Sequence, residues 1–82
     1  MKEIIYRPAA QRALERMPRT TALRIRAKIQ AFSDHPASQA NNLKMLSDGI
    51  TLRLRVGDWR VLMQDGEVLV IREVGPRGSI YE

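Results

Sequence analysis

Residues 51 to 81 read TLRLRVGDWRVLMQDGEVLVIREVGPRGSIY, and apolar and polar side chains alternate along them with the two-residue period of β-strands. Gly57-Asp58 matches a two-residue hairpin loop with glycine first, and Asp65-Gly66 matches the Asp-Gly signal for a second one. Three antiparallel strands are therefore expected. Counting outward from the first loop opposes Val56 to Trp59, Arg55 to Arg60, Leu54 to Val61 and Arg53 to Leu62. Counting from the second opposes Gln64 to Glu67, Met63 to Val68, Leu62 to Leu69, Val61 to Val70 and Arg60 to Ile71. Successive side chains point to opposite faces. One face then holds Leu52, Leu54, Val56, Trp59, Val61, Met63, Val68 and Val70, which is a core face. The other holds Arg53, Arg55, Arg60, Leu62, Leu69 and Ile71.

That second face is half basic and half apolar. Like charges directly opposed across a pair of strands, as Arg55 and Arg60 are in this register, destabilise a sheet by roughly 0.2–1 kcal/mol. Local pairing supplies no acid to that face. Either another part of the fold compensates, or a bound phosphate supplies the missing charge, a role that suits the planar five-donor fork of arginine. On the second reading Arg60→Ala should leave stability unchanged or slightly raised. After the third strand Gly75-Pro76 turns the chain, and Arg77 and Tyr81 follow. A tyrosine beside arginines can stack on a base, hydrogen-bond a phosphate or transfer a proton, and cations lower its pKa from about 10. Leu62, Leu69 and Ile71, exposed beside a basic patch, suggest a protein interface.

Upstream of the sheet, Lys2 to Tyr6 is a short strand candidate rich in β-branched residues. Pro8 suits a first helical turn, and Ala10, Ala13, Leu14 and Met17 continue at helical spacing until Pro18 ends the helix. A second helix, capped by Thr20 or Thr21, is expected to run to about Ser33 with Ala22, Ile25, Ile29 and Phe32 on one face. Two helices joined by Pro-Arg read as an αα-hairpin. Asp34 to Asn42 reads as a loop, and Leu43 to Leu46 approaches the sheet. The class is α+β, with the helices on one face of the sheet.

An 82-residue chain is expected to form a single domain, one small enough to bury only about 60% of its unfolded surface. It has no cysteine, so neither a disulfide scaffold nor a thiolate zinc site is available. His35 has no carboxylates clustered near it, so no metal and no cofactor is expected. The N-terminus lacks the apolar region of a signal peptide, and no stretch approaches the roughly 20 apolar residues of a membrane span. A soluble, cytoplasmic protein without a membrane partner is expected. The net charge of +5 favours a polyanionic partner. The excess lies in residues 1–33, where eight basic groups face only Glu3 and Glu15. Those cations, Arg24 and Lys28 among them, read either as a solvated helix face or as a phosphate-backbone footprint.

The chain resembles the RelE/ParE superfamily of bacterial type II toxin–antitoxin toxins over nearly its whole length. The resemblance rests on the order strand, αα-hairpin, three-stranded meander, on Leu43-Lys44 before the sheet, on LRLRVGDWRVL from Leu52 to Leu62, and on the tail pair Arg77 and Tyr81. RelE-like members enter the ribosomal A site and cut mRNA without metal, by attack of a 2′-OH on the adjacent phosphate. The resemblance implies that Arg60 and Arg77 bind the scissile phosphate and that Tyr81 stacks on or assists the reacting nucleotide. Arg53 and Arg55 fall at the basic positions of the first meander strand. Arg53 is counted with the catalytic set, and Arg55, Lys44, Lys28 and Arg24 are expected to contact RNA. A cognate antitoxin is implied as the partner in a toxin–antitoxin hetero-oligomer, adding a strand to the sheet or covering Leu62, Leu69 and Ile71. Thr51 stands where strong members carry a further lysine, and Pro76 where relatives often carry histidine or lysine. The ParE branch, which poisons DNA gyrase, usually lacks the full arginine and tyrosine set, so the residues favour the RNase branch. An inactive nucleic-acid-binding relative is the third reading.

Overall fold

A computed structural model of the chain describes residues 2–78. Tyr81, expected to be part of the site, lies outside the described residues. The element order is β1 (Ile4–Tyr6), α1 (Pro8–Arg16), α2 (Arg19–Asp34), a 3₁₀ helix (Pro36–Asn42), β2 (Leu43–Met45), β3 (Leu52–Val56), β4 (Trp59–Asp65) and β5 (Leu69–Pro76). The α+β class and the αα-hairpin are as expected. Three details differ. The stretch after α2 is a 3₁₀ helix, opened by Pro36 at its first turn. No threonine caps α2, whose N-cap position is Pro18. Both short strands join the meander, giving the five-stranded order β1-β5-β4-β3-β2 with β1 parallel to β5 and the other pairs antiparallel.

The first hairpin has the expected register, with Val56 opposite Trp59, Arg55 opposite Arg60 and Leu54 opposite Val61. Gly57 carries φ 60° while Asp58 stays at negative φ. Positive φ at the first central residue alone is the signature of a type II′ turn, whose twist suits adjoining strands.

The second hairpin corrects the sequence reading. Asp65 pairs with Leu69, not within a two-residue Asp-Gly turn, and Gly66 N–H donates to the Val68 carbonyl at 3.0 Å inside a three-residue loop. The odd shift exchanges the faces of β5. Leu69 and Ile71 are fully buried, while Val68 and Val70 are only half-buried. The physical reason is β1, which local turn signals do not register. Its parallel pairing sets Ile4 against Leu69 and Tyr6 against Ile71, with Leu69 N–H donating to the Glu3 carbonyl at 2.8 Å. This register also buries the larger side chains of β5, each worth about 1.5–3 kcal/mol when removed from water.

A β-bulge then restores the alternation. Leu62 faces Glu73 but Met63 faces Ile71, so Arg72 is the extra residue and Val74 returns to the core opposite Val61. The core lies between the helices and one sheet face. Ala10 and Leu14 come from α1, Ile25, Ile29 and Phe32 from α2, and Leu54, Val56, Val61, Met63, Leu69, Ile71 and Val74 from the sheet. Arg26 lies over the Tyr6 ring, 4.7 Å from its centroid, so part of the N-terminal charge works inside the fold. Burial pushes the Tyr6 phenol above its ordinary pKa, against the opposing pull of Arg26.

The face away from the helices is not an open apolar strip. Leu62 is buried against Leu46, which the segment between β2 and β3 folds over it. Asp48 closes that segment by accepting from the backbone N–H groups of Ile50 (2.9 Å) and Thr51 (2.8 Å) and from the Thr51 hydroxyl (2.7 Å). These bonds hold the Asp48 carboxyl down at a pKa of about 2. Leu62, Leu69 and Ile71 therefore offer no exposed surface for a partner, contrary to the expectation from local pairing.

Candidate functional site

The site forms where the β3–β4 turn meets the end of β5 and the middle of α2. Val56, Gly57, Asp58 and Arg60 supply the turn, Arg55 the adjacent strand, Arg24 and Lys28 the helix, Asn42 the end of the 3₁₀ helix, and Arg77 the chain after β5. They line an open cleft of about 520 Å³ that contains five cations and one acid, Asp58. Arg24 and Lys28 are four residues apart and so share a helix face. Fourteen basic residues in the whole chain would scatter thinly, and the fold instead brings five of them to one end. The Lys2–Asp65 ion pair lies at the opposite end of β4 and does not offset this charge.

Each cation is held differently. Arg60 is 8% exposed, and its Nη1 donates to the carbonyls of Gly57 (3.2 Å) and Trp59 (3.1 Å). The side chain thus folds back on its own turn while still lining the cleft. This geometry ties Arg60 to its own turn and argues against the expectation that its removal leaves stability unchanged or raised. Arg55 is exposed, and its Nη2 donates to Asn42 Oδ1 at 3.3 Å. Arg77 is exposed, and its backbone N–H donates to the Asp58 carbonyl at 2.7 Å, which ties the tail to the turn. Arg24 lies over Gly57, where an added Cβ would come within 2.8 Å of its guanidinium Nη2. Its positive φ favours glycine there, and a side chain at this position would push the exposed Arg24 guanidinium aside.

Of the residues expected to act on RNA, Arg24, Lys28, Arg55, Arg60 and Arg77 come together in the cleft. Arg53 and Lys44 stand one row further along the sheet as cross-strand partners and line a smaller hollow beside it. Two residues of the cleft escape sequence reasoning. Asp58 reads simply as a turn residue. Asn42 belongs to a polar stretch whose 3₁₀ conformation, and hence whose approach to Arg55, carries no periodic signal. Among the described residues no three His, Cys, Asp or Glu side chains gather as a metal site. No described helix is long and apolar enough to cross a membrane.

The arrangement can bind an oxyanion by several preorganised cations and stabilise charge that develops on it. A family model described as the ParE toxin of type II toxin–antitoxin systems, parDE, matches residues 4–81. No curated protein matches significantly. Among solved structures, the fold is similar to the archaeal RelE–RelB complex from Pyrococcus horikoshii OT3, with a TM-score of 0.75 and 19% identity over 96% of this chain and 98% of the other. It is also similar to the intact E. coli RelBE toxin–antitoxin complex (TM-score 0.72, 16% identity, 93% and 96% covered). The isolated E. coli RelE toxin matches with a TM-score of 0.74 and 15% identity over 98% of this chain and 88% of the other. At these identities the structural matches speak for the fold.

Proposed function

The chain belongs to the ParE toxin family of type II toxin–antitoxin systems, and within that family we propose, on the residues of its cleft, that it is a ribosome-dependent mRNA endoribonuclease restrained by a cognate antitoxin. The observation that carries this reading is the cleft, in which Arg24, Lys28, Arg55, Arg60 and Arg77 face a single acid. Cleavage by attack of a 2′-OH on the adjacent phosphate concentrates negative charge on the phosphorane oxygens. Preorganised guanidinium groups stabilise that charge without rearranging at the moment of reaction. Arg60 is already fixed by two carbonyls, and Arg77 is aimed from a tail hydrogen-bonded to the same turn. Arg53 and Tyr81 complete the proposed catalytic set, and Lys44 extends the RNA contacts. The site of action is the cytoplasm, where ribosomes meet mRNA.

The antitoxin is proposed because solved relatives are RelE chains in complex with RelB. The sheet ends in β1 and β2, which expose Ile5 and Met45, so an added strand at either edge would find apolar side chains beside it. A second reading, inhibition of DNA gyrase without RNase activity, is favoured by the family model itself, which is that of ParE. Induction in cells with parallel mapping of mRNA ends and gyrase-dependent DNA breaks separates the two. Cuts within translated codons that vanish in Arg77→Ala support the RNase. DNA breaks with intact mRNA overturn it in favour of gyrase.

A further inference from the structure

The basic cleft does not end at Arg55. Arg55 and Asn42 form a wall shared with a hollow of about 90 Å³, completed by Asn41, Leu43, Lys44 and Arg53. The hydrogen bond from Arg55 Nη2 to Asn42 Oδ1 decides the chemistry of that wall. A guanidinium has no acceptor, so the amide oxygen must face it, and the two N–H donors of Asn42 are left for other partners. Lys44 and Arg53 are cross-strand partners, and Arg53 shares a sheet face with Arg55. The hollow is therefore lined by three cations and an amide that offers donors, and no carboxylate lines it. Its size suits a phosphate group and is too small for a base. Arg53 and Arg55 are two residues apart on β3, which places their Cα atoms about 6.5–7 Å apart. That step is comparable with the separation of neighbouring phosphates in an extended single strand.

We propose that this hollow is a second phosphate subsite. A single-stranded oligonucleotide then binds across two successive phosphates, one in the cleft and the next against Lys44, Arg53 and Asn42. The proposal rests on the RNase reading for the identity of the strand. It adds that the ligand unit is at least a trinucleotide, held by its backbone, with its bases directed away from the hollow.

Uncleavable 2′-O-methyl RNA distinguishes the two layers of the argument. A dinucleotide carries one phosphodiester and a trinucleotide two, and the affinity of each for the full-length protein is measured by NMR titration at several salt concentrations. The trinucleotide should bind about ten-fold tighter, with a salt slope steeper by about 0.7. Lys44→Ala, at an exposed position, should weaken the trinucleotide more than the dinucleotide. Lys44→Arg should restore the difference, and thermal melting of each variant verifies the fold. Equal affinity of the two ligands, with dinucleotide binding still lost in Arg77→Ala, overturns the second subsite and leaves the RNase reading standing. Failure of both ligands to bind also overturns the second subsite, whereas the RNase reading stands or falls on the mapping of mRNA ends in cells.

Discussion

Arg60→Ala should destabilise the protein by about 2 kcal/mol, although it removes one of two opposed arginines. Four terms set the sign. The Arg60 Nη1 bonds to the Gly57 and Trp59 carbonyls are lost. Both come from one nitrogen, so we count them together as a single bond to a charged group, about 1.5–3 kcal/mol. Truncation also removes two buried methylenes at about 0.8 kcal/mol each, from a side chain only 8% exposed. Against these stands relief of repulsion with Arg55, roughly 0.2–1 kcal/mol, together with the recovered cost of holding a cation out of water. The balance is destabilising, and for a domain of this size it corresponds to a fall in Tm of roughly 8–16 °C. Urea denaturation at neutral pH measures it directly, with Arg55→Ala as the control. Arg55 is exposed and bonded to Asn42 through one long contact, so its removal should change stability by less than about 0.5 kcal/mol. An unchanged or raised midpoint for Arg60→Ala would refute the reasoning and show that repulsion dominates the pair. The result also governs how activity data are read. Lost activity in Arg60→Ala mixes a disturbed turn with a missing phosphate ligand, whereas Arg77→Ala, at an exposed side chain, reports on the ligand.

Gly57→Ala should cost about 1–2 kcal/mol for the left-handed backbone. It should also weaken oligonucleotide binding, because its Cβ displaces the Arg24 guanidinium; wild-type affinity in that variant would show that Arg24 contributes nothing to the cleft. Leu69→Ala and Ile71→Ala should each lose about 2–5 kcal/mol in chemical denaturation, as core cavities do, and a loss under about 0.5 kcal/mol would return them to the surface. Asp48 is held at a pKa of about 2, below its ordinary value, so its contribution to stability is present at neutral pH and is lost as the pH falls from about 4 through 2. The stability gap between the wild type and Asp48→Ala should therefore narrow over that interval, and a constant gap would mean that the carboxylate charge is not what stabilises the loop.

The legible parts of the molecule are those governed by local rules. Alternation along Leu52–Met63 and the Gly57-Asp58 loop give β3, β4 and their register, because a two-residue turn leaves no freedom in pairing. Periodicity and proline give α1 and α2 to within about two residues. Asp65-Gly66 misleads because its turn competes with a contact far away in the chain. The parallel β1 pairs with β5 across more than sixty residues, and nothing near Asp65 in sequence reports that pairing. The candidate site follows the same division. Arg55 and Arg60 are visible as a cross-strand pair, whereas the arrival of Arg24, Lys28 and Asn42 at the same cleft depends on how α2 and the 3₁₀ helix pack.

The bulge at Arg72 joins the fold to the site. Without it, the pairing that sets Met63 against Ile71 would run on to set Val61 against Glu73 and Arg60 against Val74. A carboxylate would then enter the core, and an isopropyl group would face the cleft. With the extra residue, Val74 fills the core opposite Val61, and Gly75 lies opposite Arg60 with no side chain to obstruct it. The same one-residue gain sets Pro76 against Trp59 and lets the next N–H, that of Arg77, reach the Asp58 carbonyl. Bulges re-aim side chains beside functional sites at the cost of one unpaired position. Here one residue of slack decides at once whether Glu73 stays out of the core and whether Arg77 reaches the cleft.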